Sequence, residues 1–400
     1  MMDATYRFMI TLGKKPQSYG VSSVRLQSYL KRVSEALGLQ ADFMITPSYI
    51  HYVFQRPGQP QLSYFQSAGT AAFDMNKLTQ ISSLVDRVTS GDLGLEEAEI
   101  ALKNVGQTSP VYGRWLVGLG YILSGIGFAV LLSASWTDVM IAALLSAVVY
   151  GMVLMSGRLT WLARPLEFAA ALVAGILAYI LAWLSPGSDV FTTTLCGVIV
   201  LVPGWGLTVG LAEITGNMIA SGLQRLISAI LTSVKLFIGA MIGTWIVSGF
   251  LAIAPSLDVA DQADFWSWIA VAGLMIGLAM VFQVRRDDVI WALAGGLLAY
   301  VGIVIGAWFG YWQGSFIGAM ALGAFAYLYS WRYRRPTSIV LVTGIMILVP
   351  GAASIIGLAA GQSGSVADVI GAEWRVFVIA MAIIAGLIVP YTTLPRHATL

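Results

Sequence analysis

The chain has 400 residues, a formal net charge of +2, 58% hydrophobic residues and only 10% charged ones, with a mean hydropathy of +0.80. A soluble globular chain carries far more charge and less apolar surface, so the composition is that of a membrane protein. A single cysteine, Cys196, and two histidines, His51 and His397, exclude a disulfide framework and a Cys/His metal site, and the charge is too small to indicate nucleic acid.

Residues 1–113 read as a soluble α+β head. Five of the six lysines between Lys14 and Lys235 lie in it: Lys14, Lys15, Lys31, Lys77 and Lys103. In the opening stretch MMDATYRFMITLGKKPQS, Asp3 and Arg7 precede a short apolar run and the positive residues follow it. A cleavable signal peptide has the reverse order, so the head is expected to stay in the cytosol. Leu26, Leu30, Val33 and Leu37 share one face of a helix capped by Ser22 or Ser23 and stopped at Gly38. ADFMITP, SYIHYVF and QLSYFQS read as three short strands. Two more helices follow, one through Leu78, Ile81, Leu84, Val85 and Val88, the other across LGLEEAEIALKNV. His51 is expected as a strand residue, and Asp86, Glu96, Glu97 and Glu99 as solvated helix faces. No catalytic motif is apparent.

About 20 apolar residues cross a bilayer as a helix. Ten segments qualify: 115–134, 138–156, 164–184, 189–210, 228–252, 265–284, 288–309, 314–331, 338–359 and 374–394. Loop charge tests that count independently. Alternate loops hold Arg158 and Arg164, then Arg225, then Arg285 and Arg286, then Arg332, Arg334 and Arg335, and the tail adds Arg396, whereas SASW, SPGSD, APSLDVADQA and GYWQG hold no Lys or Arg. Arg375 alone sits on the other side. Lys and Arg gather in short cytoplasmic loops, so ten spans with both termini cytoplasmic is the expectation.

The spans also repeat. TDVMIAALLSAVVY (137–150) matches DDVIWALAGGLLAY (287–300) at Asp138/Asp288, Val139/Val289, Ala142/Ala292 and Tyr150/Tyr300, and the LVPG of Pro203 recurs at Pro350. Two halves of five spans each, 114–255 and 256–400, are therefore expected. An odd number of spans places the second half upside down, an inverted-topology repeat. Pro203 and Pro350 lack an N–H and Gly204 and Gly351 loosen the backbone beside them, so the fourth and ninth spans should be broken. Irregular backbone in hydrocarbon is tolerated where protein covers it or a cavity adjoins it. Paired breaks in an inverted repeat point to a binding site between the halves, with a packing kink in each half as the plainer reading.

The runs LVPGWGLTVGLAEITGNMIASGLQRLISAI and LTQISSLVDRVTSGDLGLEEAEIALKNV, with IMILVPGAASIIGL in the second half, resemble the threonine/serine exporter family over nearly the whole chain. The resemblance implies an inner-membrane exporter of small hydroxylated amino acids driven by the proton motive force. A sibling branch is associated with succinate export, so a small dicarboxylate stays open as substrate. On the family's pattern, an acidic residue follows the first LVPG, which points to Glu213 for proton coupling, with an interfacial glutamate solvated on the cytoplasmic side as the plainer reading. Asn217, four residues on, would share its helical face. Lys235 would bind a substrate carboxylate, neutralise Glu213 or snorkel to the interface. Glu167 would pair locally with Arg164. Thr208, Thr343 and Ser354 flank the breaks and could meet a substrate hydroxyl or ammonium, or bond their own backbone. Together with Pro203, Gly204, Pro350 and Gly351, these make the expected substrate site. No GxxxxGK[ST] loop signals a nucleotide-driven pump and no acid/base pair signals an enzyme. No cofactor or metal is expected; the partners are the substrate, protons, lipid and, left open, a second copy of the chain. A channel or sensor gated by the head is the competing class.

Overall fold

The computed structural model describes residues 4–55, 60–68, 73–252, 264–333, 335–348 and 366–393. Residues 4–107 hold α1 (Ala4–Ser18), α2 (Ser23–Ala36), the strands β1 (Gln40–Ile45), β2 (Tyr49–Gln55) and β3 (Leu62–Ser67), then α3 (Met75–Thr89) and α4 (Leu95–Gln107). The sheet is antiparallel in the order β1-β2-β3. Alternation along β2 turns Ile50, Tyr52 and Phe54 inward, where Phe54 stacks on Tyr6 at 4.8 Å. His51 takes the other face and meets Ser63 at 2.6 Å, a strand residue as expected. Asp86 and Glu99 are paired rather than simply solvated, with Arg32 at 2.8 Å and Lys103 at 3.0 Å. Such surface pairs contribute little.

The first helix, α1, covers a stretch that the sequence reading left unassigned. Pro16 lies in its last turn. Phe8, Met9 and Leu12 are fully buried, and burying side chains of this size outweighs the one ladder bond the proline removes.

After the head come α5 (Arg114–Leu131), α6 (Trp136–Ser156), α7 (Thr160–Ala163), α8 (Leu166–Leu184), α9 (Val190–Val198), α10 (Gly204–Thr215), α11 (Ile219–Ser248), α12 (Asp264–Val281), α13 (Val289–Ala307), α14 (Tyr311–Tyr333), α15 (Ser338–Leu348) and α16 (Val366–Thr393). Among the described residues five of these helices are long and apolar enough to cross a membrane (α5, α6, α8, α11 and the stretch Arg286–Ala307 containing α13), and α9 with α10 make a sixth as one bent span. The other four expected segments hold α12, α14, α15 and α16. The 30 residues of α11 begin nine earlier than expected; at 1.5 Å per residue the helix outruns the hydrocarbon.

Contacts fix the direction of successive helices. Ser23 and Ser48 of the head touch Glu213 and Gln224, and Met75 touches Phe282, so these chain positions lie at the head-side end of the bundle. Trp136 meets Trp266 edge to face at 5.0 Å at the far end. Exposed tryptophans then fall in two rings, Trp115, Trp161 and Trp331 on the head side and Trp136, Trp183, Trp245 and Trp308 on the far side, as indole rings do at the two faces of a bilayer.

Close backbone approach holds the bundle. A Cβ on Gly120 would lie 2.7 Å from the Gly277 carbonyl, one on Gly277 2.6 Å from the Gly120 carbonyl, and one on Gly127 2.7 Å from the Ala270 carbonyl. The antiparallel α5 and α12 therefore touch along their backbones, the small-residue packing that membrane helices use in place of a hydrophobic driving force. Gly239 brings α11 equally close to Phe168 of α8, and Gly386 brings α16 to Phe316 of α14.

Two buried carboxylates tie helix starts together at opposite ends. Asp138 accepts from Asp189 N at 3.1 Å and from Ser135 Oγ at 2.8 Å at the far end. Asp288, fully buried at the head-side start of α13, accepts from Tyr329 at 2.7 Å and from Arg335. Arg335, read in the sequence as a loop charge, is thus an internal ion-pair partner.

Candidate functional site

The helix break expected at Pro203 is present. Helix α9 tightens into a 3-10 turn at Ile199–Leu201, Val202 turns extended (φ −67°, ψ 126°), and Pro203 (φ −83°, ψ 47°) leads into α10. The two helices bend by 59°. Pro203 has no N–H to continue the ladder. Its neighbours compensate locally: Val202 N reaches Ile199 O at 3.1 Å, and Gly204 N reaches Val202 O at 2.9 Å across the proline.

Around this bend two polar side-chain atoms are buried without a hydrogen-bond partner, Trp205 Nε1 on α10 and Ser233 Oγ on α11. Helix α10 runs antiparallel to α11 with Gly206 against Ala229 and Gly210 against Gly222 and Leu226, a register that carries Ser233 to the level of Pro203. A buried polar group left unsatisfied costs about 1–3 kcal/mol, so such groups mark places where another hydrogen-bonding molecule is favoured. A cavity of about 230 Å³ adjoins α9 on the far side of the bend, lined by Thr194, Leu195 and Val198 and by Leu236, Phe237 and Thr244 of α11.

Below the bend α10 carries Glu213, 1% exposed. Its carboxylate takes four donors. Ser221 Oγ donates at 2.8 Å, Arg225 donates through Nε and Nη2 at 3.3 Å each, and the backbone N–H of Ser23 in the head donates at 2.8 Å. Ser23 opens α2, where the first turn of N–H groups has no helical partner and the helix dipole favours an anion. Ser23 Oγ and Ser221 Oγ meet at 2.6 Å, and Gln224 donates to Ser48 Oγ of the head at 2.6 Å.

Several expected site residues take other places. Asn217 does not share a helical face with Glu213, because α10 ends at Gly216 and Asn217 adopts φ 63°. Met218 N bonds Glu213 O at 2.8 Å and Asn217 N bonds Ile214 O at 3.2 Å. This pair of bonds is a Schellman cap, with asparagine in the left-handed position that glycine usually fills. Lys235 does not reach Glu213; it pairs with Glu167 at 3.8 Å and is half exposed. Glu167 therefore has Lys235, not Arg164, as its ion-pair partner. Thr208 donates to Gly204 O at 3.1 Å and Thr343 to Val340 O at 3.1 Å, the backbone-bonded alternative. Pro203 and Gly204 form the break itself. Pro350, Gly351 and Ser354 lie outside the described residues.

The partners of Glu213 escaped the sequence reading. Ser221 and Arg225 stand four apart on α11 and share its face, a spacing that could have flagged them. Ser23, 190 residues away, leaves no such signal.

Comparison with known proteins gives two family matches. The family described as "Putative threonine/serine exporter" matches residues 7–247, and one described as "Threonine/Serine exporter" matches residues 265–393. Among curated relatives, a "Probable threonine/serine exporter" of Mycobacterium tuberculosis is 26% identical over 309 residues, 74% of this chain and 58% of that protein. A "Threonine/serine exporter" of Corynebacterium glutamicum is 23% identical over 358 residues, 85% of this chain and 72% of that one. "Pheromone-regulated membrane protein 10" of Eremothecium gossypii is 22% identical over 365 residues, 86% of this chain and 48% of its own length. The chain spans about half the length of curated relatives it matches, 58% of the Mycobacterium protein and 48% of the Eremothecium one. No solved structure matches.

Proposed function

The chain belongs to the threonine/serine exporter family, and we propose that it exports threonine, serine or a similar small hydroxylated amino acid across the inner membrane, driven by the proton motive force. In this reading ten spans form two five-helix halves of opposite topology, and the substrate site lies between the Pro203–Gly204 break and its counterpart at Pro350, Gly351 and Ser354. Head and termini lie in the cytoplasm, where the head-side loops carrying Arg158, Arg285, Arg286 and Arg335, and Arg225 near the start of α11, belong.

The observation that carries the reading is geometry that recurs at nearly one sequence step, 147 to 150 residues. Gly239 packs against Phe168 O and Ala171 Cβ, and Gly386 against Phe316 O and Ala319 Cβ; the first glycine leads to the second by 147, the other pairs by 148. Pro203 leads to Pro350 by 147 as well. A step of 150 takes Gly120 to Ala270 and Gly127 to Gly277, so the two α5–α12 contacts exchange places, as contacts across a two-fold axis do. The same step joins Ser133 (φ 56°) to Gln283 (φ 55°), the left-handed residues that end α5 and α12. A two-fold relation between halves of five helices supports inverted topology, the architecture of alternating-access transporters.

Within this scheme the broken span is the moving part. Trp205 Nε1 and Ser233 Oγ offer a donor and an acceptor for a substrate hydroxyl or carboxylate at the bend. Glu213 is the proton carrier of the reading: its neutral form gives up the ionic attraction to Arg225, and the return of charge restores it. The test is flux in proteoliposomes with labelled threonine, serine and succinate, with and without an imposed pH gradient. Uphill movement of threonine or serine that collapses with the gradient is expected. Movement of succinate alone makes the chain a dicarboxylate exporter, purely downhill flux makes it a channel, and no flux of any of them refutes the reading.

A further inference from the structure

The head is attached to the membrane helices in two different ways. To the antiparallel pair α5 and α12 it is fixed. Chain continuity through residues 108–113 leads directly into α5, which lies backbone to backbone on α12. The N-terminus of α3 caps the C-terminus of α12, Met75 N donating to Phe282 O at 3.0 Å and Asn76 N to Gln283 O at 3.1 Å. Gln283 also accepts from Tyr112 N at 3.0 Å and donates to Tyr112 O at 3.3 Å, and Phe73 meets Phe282 edge to face at 5.4 Å. Helix dipoles meet there head to tail, and the hydrogen bonds between them run from backbone to backbone.

To the end of α10 and the start of α11 the head is attached by groups that can part. Among the described residues the polar contacts of α2 and the β1–β2 turn there are Ser23 N on Glu213, Ser23 Oγ on Ser221 Oγ and Gln224 on Ser48. When they part, Glu213 is not stranded, because Ser221 and both Arg225 nitrogens stay with it on the membrane side. On the head side, Ser22 keeps the α2 N-cap through Arg25 N. The contact therefore breaks without leaving a buried charge unpaired, the condition that makes an interface reversible. What it holds is α10, the half-helix on the head side of the Pro203 bend.

We propose that the head is a latch: hinged on α5 and α12, it clamps α10 through Glu213, and the half-helix swings at Pro203 only when α2 lets go. This rests on the exporter reading, since a latch on α10 has a purpose where α10 moves in each cycle.

The test uses the full chain in proteoliposomes with Ser48→Cys and Gln224→Cys, whose native side chains meet through Ser48 Oγ and Gln224 Nε2 at 2.6 Å, and with buried Cys196 left in place. A short bifunctional methanethiosulfonate bridges the two cysteines through reducible disulfides, scored by intact mass, which separates one linker bound at both ends from two bound singly. The expected result is threonine flux reduced at least about tenfold in the cross-linked protein and restored by reductant, with each single-cysteine variant insensitive to the reagent. Wild-type flux in the cross-linked protein overturns the latch. Restoration by reductant separates locking from misfolding. If the reduced protein moves no threonine, serine or succinate, the exporter reading fails, and the latch is judged alone by spin labels at Glu35→Cys and Arg158→Cys, both on exposed positions. Two distance populations, collapsing to one upon cross-linking 48 to 224, are expected; a single distance that cross-linking leaves unchanged overturns it.

Discussion

Replacing Arg225 by Gln tests the Glu213 cluster directly. The Glu213 side chain is 1% exposed and that of Arg225 17%, and two of the four donors to the carboxylate are Arg225 nitrogens at 3.3 Å. Removing one partner of a buried pair costs about 3–5 kcal/mol because the other charge is left without compensation. Here Ser23 N and Ser221 Oγ at 2.8 Å remain, so the lower end, about 3 kcal/mol, applies. The reverse change, Glu213→Gln, should cost less, about 1.5 kcal/mol. An amide oxygen still accepts from Ser23, the amide nitrogen can donate to Ser221, and Arg225 is open enough for water. The double variant leaves no charge buried, so its cost should fall short of the sum by about 2 kcal/mol. Cys196 provides the assay. It is the one cysteine of the chain and is fully buried, so a fluorogenic thiol dye reports unfolding on heating. At roughly 2–4 °C per kcal/mol for mid-sized chains, Arg225→Gln should lower the midpoint by about 5 °C or more. An Arg225→Gln protein that melts with the wild type, or a double variant whose loss is the plain sum, refutes the account of Glu213 as a saturated buried ion.

Three further outcomes follow from other parts of the molecule. Pro203→Ala supplies the missing N–H and straightens the α9–α10 bend, so flux should fall about tenfold with little change in melting; normal flux would reduce the bend to a packing feature. Gly277→Val drives a side chain into the Gly120 carbonyl, 2.6 Å from the first added carbon, and should cost about 1–3 kcal/mol as both backbones are forced apart, seen as a lower midpoint in the dye assay and aggregation on size exclusion. Lys235→Ala removes a pair whose lysine is 48% exposed, and should shift stability by less than about 1 kcal/mol; a large loss of flux with normal stability would return Lys235 to the substrate site.

Much of the membrane part was legible because its signals are local. A run of apolar residues announces a buried helix wherever it folds, and Pro203 removes a backbone donor whatever surrounds it. The proposed repeat was suggested by Asp138/Asp288 and Pro203/Pro350, and its further support lies in glycines such as Gly239 and Gly386, which look like any other small residues until the helix facing each is known. Asn217 misled because a spacing of four implies a shared face only while the helix continues, and Gly216 ends it. The first helix was left unassigned: its apolar run is short, and the burial of Phe8, Met9 and Leu12 that holds it comes from outside the segment.

The order of apolar segments and the proline that interrupts the ladder at position 203 were settled along the chain itself, since each depends on hydration and on backbone chemistry within a few residues. Which charge meets which was not. Glu213 could have answered Lys235, Asn217 or water; packing α11 against α10 and seating α2 on their turn gave it Arg225, Ser221 and a backbone amide from the other end of the protein. An ion in a medium of low dielectric takes whatever donors the surrounding helices bring within about 3 Å, and that choice exists only after the helices have met.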